Sequence, residues 1–211
     1  MTKVENRAWF IKEDGRAPLY FHVMYDEDKS GINGLDFKLG KPLDLGEKEC
    51  VYFYVKHEGK YGDKHAKYAN KEYIMKWEFL PNGPGVLIAN KRALKLLEQE
   101  APGEFQAIPV KILMPDDSYI EGYTLINILN KTKALNEEKS ILEDEKWREE
   151  WNKYKVHYYN IDGLGKFNLA YEETTGGIFL GSEKLRQAIK KAKLMGLQFK
   201  DTYGTSHFFL D

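Results

Sequence analysis

The residues best suited to chemistry form one acidic and aromatic segment in the second half of the chain. Residues 143–151 contain five carboxylates and two tryptophans. The candidate binding residues are Glu143, Asp144, Glu145, Trp147, Glu149, Glu150 and Trp151. If the segment is helical, both tryptophans share one face, and tryptophan is common at binding hot spots because it buries a large rigid surface. The carboxylates would steer a basic partner toward that face. The alternative is that both tryptophans cover the core of their own domain.

Patterns typical of catalysis or metal binding are weak elsewhere. No two histidines are three or four residues apart, although zinc sites usually contain one such pair. Cys50 is the only cysteine, so no intramolecular disulfide is possible, and a partly buried strand cysteine is favoured over a reactive thiol. Residues 26–31 imitate the start of a calcium loop, but Phe37 stands where a bidentate Glu is needed. We therefore expect no metal site and no cofactor, and we find no positive sign of catalysis.

Composition describes a globular chain without a strong electrostatic field. The 211 residues are 42% apolar and 31% charged, and the formal net charge is −1. A neutral chain does not recruit nucleic acid or anionic membrane through its overall field. Secretion signals and membrane spans both require long apolar runs, which this sequence lacks. We expect a cytoplasmic protein, a monomer or small homo-oligomer, with no membrane partner.

One strand–helix–strand pattern is written twice. The first copy covers residues 85–106 and the second residues 177–199. In each copy an apolar run ends at a residue suited to cap a helix, Asn90 or Ser182, because these side chains accept bonds from the free amides of the first turn. A glycine then follows each helix, where a left-handed conformation ends it at little cost. The predicted helices span residues 91–101 and 183–195.

Each predicted helix has an apolar face that we expect to pack on a sheet. We predict that Leu94 and Leu97 in the first helix, and Leu185 and Ile189 in the second, are buried. The opposite face of the second helix is basic and consists of Lys184, Arg186, Lys190, Lys191 and Lys193. A solvated face is the favoured interpretation. The alternative function is a nucleic-acid-binding or small-molecule-binding protein that uses the basic face of helix 183–195.

The remaining patterns indicate short strands and loops. Residues 8–12 and 19–24 predict a β-hairpin, and residues 26–49 predict a loop. The aromatic stretches 50–55 and 73–79 predict strands. The predicted fold is therefore α+β, a mixed and mostly antiparallel sheet with two main helices packed on it. A β-rich, loop-rich half (residues 1–84) precedes the better organised half (residues 85–211), and we expect one continuous domain.

Six segments carry a resemblance to a known family, and their order and spacing are more telling than any single motif. They are residues 85–88, 105–110, 123–129, 134–140, 178–185 and 196–199. Over residues 85–200 the chain resembles an immunity-protein family of bacterial polymorphic toxin systems, formerly a domain of unknown function. One departure is Asn136, where an Asp is expected. The matching residues are mostly packing residues, so the resemblance concerns fold and class more than a site.

The resemblance implies a non-enzymatic protein that protects a toxin-producing bacterium by binding its cognate toxin domain. Such a protein acts by covering the active cleft of the toxin or by locking the toxin in an inactive shape. Nucleases are common among these toxins, and a basic nuclease groove would be complementary to the acidic segment 143–151. The less recognisable N-terminal half would suit a part that varies with the partner.

Overall fold

The computed structural model describes residues 7–13, 21–56, 70–142, 154–160, 162–174, 178–201 and 205–206. Over these residues the chain is an α+β protein in which strands predominate. The strands are β1 Ala8–Glu13, β2 His22–Tyr25, β3 Val51–Lys56, β4 Leu87–Asn90, β5 Phe105–Leu113, β6 Tyr119–Ile128, β7 Lys131–Thr132, β8 Ile141–Leu142, β9 Tyr154–His157, β10 Leu169–Glu172, β11 Ile178–Ser182, β12 Leu197–Asp201 and β13 Thr205–Ser206. The helices are α1 Glu27–Ser30, a 3₁₀ helix Gly34–Lys38, α2 Lys71–Ile74, α3 Lys91–Glu100 and α4 Glu183–Lys191.

Most of these strands form two five-stranded sheets. The first sheet has the order β12-β1-β11-β10-β7, and the second sheet has the order β2-β3-β5-β6-β4. A smaller sheet, β13-β9-β8, accompanies them. Each large sheet contains one parallel pair, β10 with β7 or β3 with β5, among antiparallel ones. The sheets are thus mixed and mostly antiparallel as predicted, but the prediction of a single sheet is wrong. Both large sheets take strands from either side of residue 85.

The order strand–helix–strand occurs in β4–α3–β5 and again in β11–α4–β12. Each helix begins directly after its strand because Asn90 accepts from the amides of Arg92 and Ala93, and Ser182 accepts from the amide of Leu185. In both units the two strands flank a third strand that is antiparallel to each of them. This middle strand is β6 in the first unit and β1 in the second.

Helix α4 ends at Lys191, before its predicted end at residue 195, because Lys193 adopts a φ of 53°. The chain then turns at Gly196, whose φ is 104°. A Cβ atom there would lie 2.1 Å from the carbonyl oxygen of Phe79, so the position requires glycine. The segment after α4 is thereby pressed against the chain that leads into β4.

Helices α3 and α4 share one apolar core with both large sheets. Leu97, Leu185 and Ile189 are buried as predicted. Leu94 is only half-buried, because it lines a cavity at the edge of this core. The core residues that the sheets contribute include Leu87, Ile126, Leu169 and Phe179. A second core fills the other face of the second sheet, around Phe37, Phe53 and Ile112.

Two carboxylates, Glu78 just before the first unit and Glu104 within it, bind parts of the chain that are distant in sequence. The buried side chain of Glu78 pairs with Arg92 at the start of α3 (Oε1 to Nη1, 2.7 Å) and accepts from the amide of Met195 after α4 (2.9 Å). Glu104, just before β5, accepts from the amide of Leu169 at the start of β10 (2.7 Å). The bonds of Glu78 fix the position of one unit relative to the other, and the bond of Glu104 fixes the first unit relative to β10.

Two predictions about the N-terminal half are wrong. Strands β1 and β2 do not form a hairpin, because β1 pairs with β11 and β12 while β2 pairs with β3 in the other sheet. The turn proposed between them, residues 14–18, lies outside the described residues. The aromatic stretch 73–79 is not a strand. It holds the end of α2, a helix that begins because Asn70 accepts from the amide of Tyr73 (2.8 Å).

Strand β1 is tied to α4 through stacked cations. The ring of Trp9 lies 4.5 Å from the guanidinium of Arg7 and 4.3 Å from that of Arg186. Arg186 also donates two hydrogen bonds to the carboxylate of Glu183, at 2.9 and 2.8 Å. These bonds from Arg186 lower the pKa of Glu183 to about 2.

Truncation of the apolar face of α4 should destabilise the fold strongly. Leu185→Ala or Ile189→Ala removes a buried side chain and leaves a cavity, so we expect each to lower the free energy of unfolding by about 2–5 kcal/mol. Urea denaturation measures this change. Lys190→Ala, exposed on the same helix, serves as the control and should change it by less than about 0.5 kcal/mol. Losses below about 1 kcal/mol at both buried positions would contradict the assigned packing.

The ion pair of Glu183 should make stability depend on pH in the acid range. The pKa of Glu183 is lowered from 4.5 to about 2, so its stabilisation is complete above the unfolded value and is lost as the pH falls toward 2. Glu183→Gln should therefore cost roughly 1–3 kcal/mol at neutral pH and progressively less in acid. Urea denaturation of both proteins along a pH series tests this. A difference that stays constant down to the lowest pH would exclude the mechanism.

Candidate partner-binding surfaces

The acidic and aromatic segment 143–151 lies outside the described residues, so its role as a binding site stays a prediction. The strand that precedes it is described. Ile141 and Leu142 form β8, an edge strand, and are 50% and 47% exposed. Single apolar residues on a surface are normal. An apolar edge strand is different, because its unpaired backbone groups can pair with another chain, so a partner could bind at this edge.

A loop formed by residues 32–43 is the best-defined candidate surface among the described residues. We call it the bridging loop, because both large sheets bind it. The second sheet holds its C-terminal end. Gln106 of β5 exchanges two hydrogen bonds with the backbone of Leu43, at 2.8 and 3.0 Å. Asn127 of β6, fully buried, donates to the carbonyl of Lys41 at 2.9 Å.

The first sheet holds the middle of the bridging loop. Phe37 is fully buried, and its carbonyl oxygen accepts a hydrogen bond of 2.6 Å from the hydroxyl of Tyr171 on β10. Burial raises the pKa of Tyr171 well above its usual range, so the hydroxyl remains a donor at neutral pH. The second sheet also contacts this part of the loop: Tyr25 of β2 packs edge-on against Phe37, with ring centroids 4.8 Å apart, and donates to the carbonyl of Ile32 at 2.7 Å.

Between these attachments the loop presents leucine side chains to water. Leu35, within the 3₁₀ helix, is 73% exposed, and Leu39, just after it, is 39% exposed. Two side chains cap the start of this 3₁₀ helix. The amide of Gly34 donates to the carboxylate of Glu27 (3.2 Å), and the amide of Leu35 donates to the side chain of Asn33 (2.8 Å). The backbone that carries Leu35 is thus held in one conformation.

The charge around these leucines is mixed. Glu27 and Asp28 on α1 are exposed, and Asp36 lies next to Leu35 in the turn. Basic side chains balance them: Lys38 and Lys41 belong to the loop, and exposed Lys48 donates from Nζ to the carbonyl of Ser30 at 2.6 Å. The bridging loop therefore has an apolar tip with both acidic and basic side chains beside it.

Sequence patterns predicted a loop over residues 26–49, but the structure has α1 and the 3₁₀ helix within this range. The glycine-rich loops of the N-terminal half were only the alternative place for an interface. The signal that could have identified the bridging loop is Asn127, a polar residue within the otherwise apolar run of residues 125–128. A buried amide must find partners, and the partner here is the loop backbone.

A second exposed surface is the tyrosine-bearing face of the second sheet. Leu113 on β5 is the cross-strand neighbour of both Tyr54 on β3 and Tyr119 on β6. Lys29 lies over Tyr52 and Tyr119, with Nζ 4.7 and 5.0 Å from the ring centroids. A cavity of about 360 Å³ opens beside this face, lined in part by Cys50, Leu94, Pro109 and Lys111. The charges on this surface are mixed.

The basic face of α4 is partly used within the fold. Lys184 pairs with Glu100 of α3 at 3.1 Å, and Arg186 binds Glu183 and stacks on Trp9. Lys190, Lys191 and Lys193 are exposed. Nucleic-acid binding through this face stays a prediction, with fewer free cations than the sequence suggested.

The residues that the sequence suggested for calcium binding or thiol chemistry have structural roles or are buried. Asp26 caps α1 by accepting from the amide of Lys29 at 3.0 Å, which explains the calcium-like pattern. Cys50 is buried just before β3. In the described part of the chain no group of three or more His, Cys, Asp or Glu side chains could hold a metal ion. No described helix is long and apolar enough to cross a membrane.

Comparison with known proteins gives one family. A family model described as "Immunity protein family (Imm11)" matches residues 56–204, more than two thirds of the chain. A search of curated proteins finds no match. The matched range contains both strand–helix–strand units and extends the resemblance of residues 85–200 toward the N-terminus. The chain therefore belongs to the Immunity protein family (Imm11).

Proposed function

We propose that this protein is a non-enzymatic immunity protein, which binds a cognate antibacterial toxin domain and neutralises it by occluding its active site. The observation that carries the proposal is the family match over residues 56–204. The surfaces of the described residues agree with a binding role, since apolar side chains are exposed at the bridging loop and at β8.

Occlusion requires a stable and fairly large interface. A specific complex of this kind buries about 1,200–2,000 Å² of total surface, with a few aromatic or arginine side chains contributing most of the affinity. We propose that the chain acts as one continuous domain, because both large sheets contain strands from each side of residue 85. We propose that the protein acts in the cytoplasm, where it would bind a toxin that enters the cell.

We propose residues 143–151 as one part of the toxin-binding surface. Trp147 and Trp151 would supply large rigid contacts, and the five carboxylates would attract a basic toxin such as a nuclease. The exposed edge strand β8 leads directly into this segment, so apolar contact area is available beside it.

Co-expression with the toxin domain encoded by the neighbouring gene tests the function. We expect the full-length protein to restore growth of cells that produce the toxin and to co-purify with a catalytically inactivated form of it. The destabilised Leu185→Ala variant provides the control, because protection should fall with the amount of folded protein. Growth arrest despite abundant folded protein, together with no co-purification, would refute the proposal.

Substitutions in residues 143–151 should separate steering from anchoring. Reversal of Glu149 and Glu150 to Lys should slow association and weaken its salt dependence, because rim charges act mainly on encounter. Trp147→Ala or Trp151→Ala should instead speed dissociation. If the residue is a hot spot, the binding free energy should weaken by about 2 kcal/mol or more. Stopped-flow and surface-binding kinetics with the inactivated toxin domain measure both rates.

The matched control reverses Glu72 and Glu98, exposed residues on α2 and α3, which changes the net charge equally. Thermal unfolding distinguishes a binding role from a core role of the tryptophans. A variant that loses stability together with binding supports the core role. Unchanged association and dissociation rates in a variant that combines all four substitutions, at Trp147, Glu149, Glu150 and Trp151, would place the interface elsewhere.

A further inference from the structure

We infer that the cavity of about 360 Å³ beside helix α3 receives an aromatic side chain of the toxin domain. This inference rests on the proposed function and adds a contact point, distinct from residues 143–151, for the same partner. The second strand–helix–strand unit of the chain provides the precedent, because a tryptophan ring fills the equivalent position there.

The strands of the two units are equivalent in register. In the first unit, the residue of β4 just before the helix cap pairs with Thr124 of the middle strand, and Thr124 pairs on its other side with Pro109 of β5. In the second unit, the residue of β11 just before the helix cap pairs with Trp9 of the middle strand, and Trp9 pairs on its other side with Asp201 of β12. Thr124 and Trp9 therefore occupy the same position, as do Pro109 and Asp201.

The helices follow the same equivalence. Arg92, the second residue of α3, donates to the carbonyl of Ala192 just after α4. Lys184, the second residue of α4, pairs with Glu100, the last residue of α3, at 3.1 Å. Each helix thus places the side chain of its second residue on the C-terminal end of the other helix. This reciprocal contact is the kind that an isologous dimer makes, so the two units are related by an approximate two-fold axis.

In the second unit, large side chains occupy the space between the helix and the strands. The ring of Trp9 lies 4.3 Å from the guanidinium of Arg186, the fourth residue of α4, and 4.5 Å from that of Arg7. Arg7 also binds Asp201 of β12, and Arg186 binds Glu183. An indole ring and two guanidinium groups therefore fill this position.

The first unit has smaller side chains at the same positions. Thr124 stands at the position of the indole, Leu94, the fourth residue of α3, at that of the stacked arginine on the helix, and Gly122 at that of the arginine on the strand. All three residues line the cavity, together with Pro109. The cavity is therefore the space that a tryptophan and two arginines occupy in the second unit.

The walls of the cavity suit an aromatic ring. Leu94, Pro109 and Val110 supply apolar surface, and Lys91 and Lys111 supply cations. A cation beside the face of an aromatic ring is stabilising, and the ring of the second unit already has such neighbours. The volume of about 360 Å³ lies at the lower end of the range for small-molecule sites, so the cavity fits one side chain better than a large cofactor.

Charge does not select the occupant, because the charges at the rim are mixed. Lys111 is paired with Glu121 at 3.2 Å. The internal equivalence selects it instead, and we commit to an exposed Trp, Tyr or Phe side chain of the toxin domain. Such residues are common anchors of interfaces, because they fill well-packed pockets from which water is excluded. The tyrosine-bearing face beside the cavity supplies surrounding contact area.

A plug inside the cavity tests the inference in the full chain, with the inactivated toxin domain of the neighbouring gene as partner. Thr124→Trp introduces the ring that the second unit already has, so it should fill the cavity and raise Kd by about 30-fold, as expected when an anchor loses its pocket. Thr124→Val is the matched control, because it keeps the β-branched shape and leaves the cavity open. It should bind as the wild-type protein does.

A second plug fills the cavity from the helix. Leu94→Arg introduces the residue type of the equivalent position in α4, and Gln99→Arg, exposed on the same helix, is its charge-matched control. Thermal unfolding establishes which variants are folded. The inference is supported if the folded plug variants weaken the complex while their controls do not. It is overturned if a folded plug variant binds the toxin domain as tightly as its control.

A small aromatic probe tests the wild-type protein without any substitution. N-acetyl-tryptophanamide should bind with a Kd on the order of 1 mM, as expected for a ligand of so few atoms. In NMR titrations its shifts should concentrate at Leu94, Gly122 and Thr124, and the toxin domain should displace it. Absence of shifts at these residues, or a probe that the bound toxin domain leaves in place, would overturn the inference.

Two further outcomes separate this inference from the proposed function. If the wild-type protein neither binds nor protects, the proposed function itself fails, and the toxin domain as occupant fails with it. If the wild-type protein binds and protects but Thr124→Trp only converts a dimer into a monomer, as measured by light scattering, the occupant is a side chain of a second copy. That result overturns the inference and leaves the proposed function intact.

Discussion

The fold depends on a buried carboxylate that joins its two strand–helix–strand units. Glu78 is 7% exposed, and its oxygens bind Arg92 at the start of α3 and the amide of Met195 after α4. Removal of a carboxylate from water is costly unless its oxygens are hydrogen-bonded, so both partners must stay in place. This requirement fixes α3 relative to α4, and the apolar core between the sheets packs around that fixed geometry.

Local features of the fold could be predicted from the sequence, and long-range pairings could not. Asn90 and Ser182 identify the helix starts because capping depends on residues two or three positions away. The burial of Leu185 and Ile189 follows from helical periodicity. The position of β1 is different, since Phe10 pairs with Leu180 far along the chain. Alternation shows which face of a strand is apolar but does not select the neighbouring strand, so a hairpin and a single sheet were predicted wrongly.

The candidate binding surfaces show the same division. Composition alone identifies the cluster of acids and tryptophans at residues 143–151, whose role stays a prediction. The bridging loop cannot be identified in this way, because its special property is the convergence of Asn127 and Tyr171, which are distant in sequence and belong to different sheets. Asn127 stands out in the apolar run of residues 125–128, but the sequence does not show which backbone group it binds. Only the common target of Asn127 and Tyr171, the backbone of one loop, indicates that the fold holds this segment in place.

A loop bound to both sheets also changes what dissociation of a partner would require. Related complexes differ mostly in how fast they come apart, and ordering a flexible side chain on binding costs about 0.5–1.5 kcal/mol. In the bridging loop the backbone is already ordered on folding, through Phe37 and the hydrogen bond from Tyr171, although the exposed Leu35 side chain is not. Because Gln106 and Asn127 hold the loop on one sheet and Tyr171 holds it on the other, displacement of the loop would break buried hydrogen bonds in both. The rigidity of the two-sheet scaffold is therefore transmitted to the backbone that carries the exposed leucine.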